Sequence, residues 1–153
     1  MHTDDIQQLK LFLRKSHLFE LEATTTVTEE TDASNTITFQ DGLWHFRDNF
    51  FGTDPYGGHE IIHYDNKPVW IMTYYGQIHD TDLPTQDIHN FLFEALATSP
   101  ENAPFRGAFT YQNGKFEYRN EIQGDISNFS GRESIWQNGK EIYWFTYAGG
   151  LVN

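Results

Sequence analysis

Apolar residues set the frame of this chain. Behind Asp4 and Asp5, the residues Ile6, Leu9, Phe12 and Leu13 recur at helical spacing, which predicts one amphipathic helix over about residues 4 to 16. Residues 22 to 35 are acidic and polar with a β-branched start, and read as a short edge strand running into a mobile loop. Alternation follows. Trp44, Phe46 and Phe50 interleave with His45 and Arg47, and Phe116, Tyr118 and Ile122 interleave with Glu117, Arg119 and Glu121. That is the pattern of strands with one buried face. Asp41-Gly42, Asn113-Gly114 and Asn138-Gly139 punctuate the runs as tight hairpin turns, with Asp65-Asn66 in a matching place. Between the strand regions, Ile88, Phe91, Leu92, Ala95 and Leu96 predict a second helix, with Thr85 as its cap and Pro100 and Pro104 beyond its end.

Two strands break the alternation. Val69, Ile71 and Thr73 oppose Trp70, Met72 and Tyr74, and Ile142 and Trp144 oppose Tyr143, Phe145 and Tyr147, so both faces are apolar. Such strands are central, and something must cover each face. Two helices suffice for one face. Barrel-like curling, a second subunit or a ligand are the candidates for the other, and a homodimer is among the expectations.

The strand regions are copies. Residues 38 to 52 align without a gap on 110 to 124, and Gly58, Glu60, Ile62, Lys67, Val69, Trp70, Thr73, Tyr74 and Gly76 meet Gly131, Glu133, Ile135, Lys140, Ile142, Tyr143, Thr146, Tyr147 and Gly149. The expected fold is therefore α+β: an internal duplication of a helix plus four antiparallel strands, giving about eight strands with two helices packed on one face. Residues 1–153 are expected to form a single domain, with one repeat over about 4–76 and the other over about 85–150. A pseudo-twofold axis should relate them.

Composition narrows the chemistry. At 153 residues with 38% hydrophobic content, the chain is long enough to bury a core, and thirteen Phe, eight Tyr and four Trp carry an unusual share of it. No cysteine is present, so disulfides, thiolate metal sites and a cysteine nucleophile are excluded. The formal charge of −12 opposes nucleic-acid and anionic-lipid binding. With no signal-like start and no long apolar run, the expectation is a cytoplasmic protein that binds neither membrane nor nucleic acid directly.

His59-Glu60-Ile61-Ile62-His63 spells a zinc-protease motif, with Glu94 as the available third ligand. On a helix the two histidines would share an ion, whereas on a strand they stand roughly 13 Å apart. Flanking glycines and a turn favour the strand. The second copy reads Arg132-Glu-Ser-Ile-Trp136, without either histidine, so no metal and no cofactor are expected. Glu60 and Glu133 are repeated, and Arg47 and Arg119 are the repeated cations that could pair with them, either as structural ion pairs or around a ligand. A carboxylate pair for glycoside hydrolysis is a further use, decided by separation in space. Trp70, Tyr74, Tyr75, Tyr143, Trp144 and Tyr147 are the candidates for an aromatic binding surface, since rings with polar tips suit flat ligands and partner hot spots. His17, His79 and His89 show no interpretable spacing.

Lys67-Pro-Val-Trp-Ile-Met-Thr-Tyr-Tyr-Gly76, with Trp44-His-Phe-Arg-Asp48, Phe105-Arg-Gly107, Tyr118-Arg119, Gly124-Asp125 and Phe129-Ser-Gly-Arg-Glu133, resembles a family of uncharacterised bacterial domains over roughly residues 36 to 150. Members of that family also occur fused behind Xre-type helix-turn-helix domains. The resemblance implies a shared fold, and a sensing or assembly role behind a DNA reader. The first 35 residues of this chain are too few for that DNA-binding domain.

The expected function is a non-enzymatic module that binds a small molecule or a protein on its aromatic sheet face. A hydrolase using zinc or paired carboxylates, and an acidic inhibitor or DNA mimic, are the alternatives.

Overall fold

The computed structural model describes all residues, Met1–Asn153. Helix α1 (Thr3–Glu20) opens the chain, the carboxylate of Asp5 accepting a hydrogen bond from the His2 backbone N–H at its first turn. It runs four residues past its expected end. Strands β1 (Thr28–Glu29), β2 (Asn35–Asp41), β3 (Trp44–Gly52), β4 (Tyr56–Tyr64) and β5 (Lys67–Ile78) follow, then α2 (Thr85–Leu96) and strands β6 (Thr110–Asn113), β7 (Phe116–Asp125), β8 (Asn128–Gln137) and β9 (Lys140–Leu151). The fold is α+β. The ninth strand beyond the expected eight is β1, a two-residue edge pairing inside the acidic 22 to 35 segment.

All nine strands form one antiparallel sheet in the order β1-β2-β3-β4-β5-β9-β8-β7-β6. The two copies of the repeat therefore meet at β5 and β9. Tyr74 pairs with Tyr147 in that ladder, and these are also equivalent residues of the two copies. The pseudo-twofold axis thus passes between them. At Gly42, Gly114 and Gly139 the hairpin turns hold positive φ angles of 61°, 59° and 74°, which glycine adopts without steric cost.

Both helices lie over one sheet face. Leu9, Phe12 and Leu13 of α1 and Ile88, Phe91, Leu92 and Ala95 of α2 join Phe46, Ile62, Trp70, Met72, Tyr118, Ile135, Tyr143, Phe145 and Tyr147 in one buried cluster. Aromatic rings knit it, as in the stack of Trp70 on Phe129 at 5.6 Å and of Phe129 on Phe105 at 4.3 Å. The opposite sheet face has no second layer, and Tyr75 there is 47% exposed. No helix is long and apolar enough to cross a membrane.

Candidate functional site

The two helices do not close over the middle of the sheet. Between them lies a cavity of about 250 Å³, roughly eight water volumes, walled by Leu92, Phe93 and Leu96 of α2 and floored by Phe50, Tyr56, Tyr74 and Phe145 of the sheet. Its other wall is polar. His17 and Glu20 descend from α1, three residues apart and so on one face, toward Asp48 of β3 and Glu60 of β4, which are paired across the ladder.

The helix places these groups for a simple reason. Leu9, Phe12, Leu13 and Ser16 form the buried stripe of α1, and Glu20 stands four residues beyond Ser16 on that stripe. A carboxylate thus follows the apolar face into the interior. Donor atoms of His17, Glu20 and Glu60 all lie within 4.8 Å of one another. His17 Nε2 is 2.7 Å from a Glu60 oxygen, and its Nδ1 is 3.0 Å from the Pro104 carbonyl. A carbonyl only accepts, so Nδ1 carries the proton and donates it there. Tyr74 donates its hydroxyl hydrogen to Asp48 at 2.5 Å.

Charge is concentrated here. Loss of water, then the negative charges of Asp48 and Glu60, push the Glu20 carboxyl well above the usual carboxylate range, with the charge of Arg106, which also lines the cavity, opposing. Burial and the charge of Glu60 push Asp48 up to about 6, relieved in part by hydrogen bonds with Glu20 and Tyr74. Burial and the Asp48 charge likewise raise the Tyr74 phenol.

The sequence-predicted residues are dispersed. Glu60 reaches the cavity, but Glu133 does not line it, and neither uses the arginine expected. Arg106 donates to Glu133 at 3.0 and 2.7 Å, and Tyr118 and Tyr143 add their hydroxyls. Arg47 and Arg119 lie one residue out of step with Glu60 and Glu133 on their ladders, on the opposite sheet face, and Arg119 instead pairs with Glu117 and covers Trp136. Among the aromatics, Tyr74 lines the cavity, while Trp70 and Tyr143 are fully buried and Tyr147 is held by Asn120. Tyr75 and Trp144 sit together on the opposite face, 5.9 Å apart.

The zinc-motif residues form no cluster. His59 and His63 lie on strand β4, where His63 packs against His45 on the face away from the cavity, and Glu94 of α2 accepts hydrogen bonds from Asn113 and Tyr111. They share a strand face, and the rise of about 3.3 Å per residue carries them roughly 13 Å apart. His17, Glu20 and Asp48 were not among the expected site residues, and the legible signal was Glu20 at the continuation of the α1 stripe.

A family model described as a domain of unknown function (DUF5680) matches residues 48–152. The matched span holds Asp48, Glu60, Arg106 and Glu133, and leaves α1 with His17 and Glu20 outside. No curated protein and no solved structure matches the chain.

Proposed function

The chain belongs to the DUF5680 family of unknown function, and we propose that it is a non-enzymatic binding module whose inter-helix cavity takes a small aromatic or apolar molecule. The cavity carries this reading: an aromatic floor and an aliphatic wall supply the burial, and a few convergent polar groups at one end supply orientation. A three-carboxylate end prefers a positive charge beside the ligand's body. The resemblance to uncharacterised bacterial domains found behind Xre-type DNA readers supports a sensor or regulatory role for such a module. We place it in the cytoplasm.

A neutral apolar dye such as Nile red tests the cavity. Native protein should bind it saturably, and Leu92→Trp, which fills the space from α2, should remove the binding while the fold persists. Equal binding by the folded variant contradicts the proposal.

A hydrolytic reading stands second. Asp48, held at about 6 beside Glu60 in a water-poor pocket, has the environment of a general acid next to a general base.

A further inference from the structure

The duplication supplies an internal control for the acidic end of the cavity. In the second copy Glu133 is fully buried and fully provided for: Arg106 gives it two hydrogen bonds, and Tyr118 and Tyr143 one each. In the first copy the equivalent Glu60 is 2% exposed, and the places of those two tyrosines are taken by Phe46 and Trp70, which offer its carboxylate nothing. Its one hydrogen-bond contact is with His17, and its second oxygen has none.

The guanidinium that lines the cavity, Arg106, spends its hydrogen bonds on Glu133. No lysine or arginine bonds to Glu20, Asp48 or Glu60, whereas Asp48 replaces the neutral Asn120 of the other copy and Glu20 adds a further carboxylate. The tyrosine bonds are otherwise the same, Tyr74 to Asp48 and Tyr147 to Asn120. So one copy carries its own guanidinium, and the other carries two extra carboxylates and an imidazole. Carboxylates buried without a counter-charge are costly, and such groups are ordinarily paired or coordinate a metal.

We propose that His17, Glu20 and Glu60, with Asp48 beside them, bind a divalent first-row metal ion such as zinc or manganese at the acidic end of the cavity. One imidazole with carboxylate oxygens suits these ions, and the absence of thiolates disfavours copper(I). The histidine is already oriented as a ligand, because Nδ1–H is committed to the Pro104 carbonyl and Nε2 is thereby turned toward Glu60. At 2.7 Å the Nε2–Glu60 contact holds a shared proton, and a metal ion bound beside the two atoms takes that proton's place. The remaining side of the ion faces the cavity, so exogenous oxygen or nitrogen donors complete its shell. The inference deepens the proposed cavity and rests on that cavity being the site, yet its readout needs no organic ligand.

The full chain, stripped with a chelator and dialysed, is titrated with zinc or manganese chloride by calorimetry, and retained metal is measured by plasma mass spectrometry. About one ion per chain is expected, with affinity falling more than ~10-fold in Glu60→Gln and in Glu20→Gln. His59→Ala with His63→Ala should bind as the parent does. Absence of saturable binding by the native chain, or unchanged affinity in folded Glu60→Gln, overturns the site and leaves an imidazolium–carboxylate pair. Failure of Nile red binding with intact metal binding would instead remove the organic ligand alone.

Discussion

Glu60 and Glu133 stand at equivalent places on β4 and β8, yet Arg106 grips Glu133 with two hydrogen bonds while Glu60 meets only His17. The same backbone thus holds a closed ion pair on one side of the pseudo-twofold axis and an open acidic pocket on the other.

The closed copy should be the structural one. Arg106→Met strands Glu133, which is 0% exposed, and should destabilise the chain by about 3–5 kcal/mol in urea denaturation, whereas Arg106→Met with Glu133→Gln should recover much of the loss. Equal destabilisation by the single and double variants would contradict this.

Asp48→Asn should behave in the opposite way. It removes a buried charge that Glu60 repels while Tyr74 can still donate to the amide oxygen, so in chelator at neutral pH it should stabilise the fold by about 1–3 kcal/mol. A lower melting temperature than the parent's would contradict the account of the open copy.

How far the sequence went is clear from particular residues. The 72-residue spacing of the gapless match and the doubly apolar β5 and β9 were readable because repetition and period two survive in any context. The partners of Glu60 and Glu133 were not, because the repeated Arg47 and Arg119 fall on the wrong strand face, and Arg106 lies in the irregular segment after α2. His17 was hidden by the helix end: apolar periodicity breaks off after Leu13 at the polar run Arg14 to His17, while the helix continues through Leu18 and Phe19 to Glu20.

Gly131 faces the ring of Tyr147, and a Cβ added there would come within 2.2 Å of it. Gly131→Ala should push the tyrosine off Asn120 and cost about 1–3 kcal/mol, read as an earlier chemical-denaturation midpoint. A midpoint equal to the parent's would show that the ring has room.

The acid limb of stability should respond to Glu141. A hydrogen bond from Arg132 holds its carboxyl below the usual range, with burial opposing and the arginine's charge and His79 assisting. A carboxylate depressed in the fold contributes stability above its unfolded value, and that contribution is lost as pH falls through the folded one. Glu141→Gln should therefore cost up to about 1 kcal/mol at pH 7, a cost that fades as acid protonates the parent's carboxylate, since Arg132 is partly exposed and solvent screens the pair. A deficit that persists at low pH would assign the loss to packing.

The placement of the ion is tested most directly by an anomalous difference map from crystals of the full chain grown with zinc, recorded at the zinc absorption edge. The account predicts one peak about 2.0–2.2 Å from His17 Nε2 and from oxygens of Glu60 and its neighbours. No peak there, or a peak at His59 or His63 alone, would contradict it.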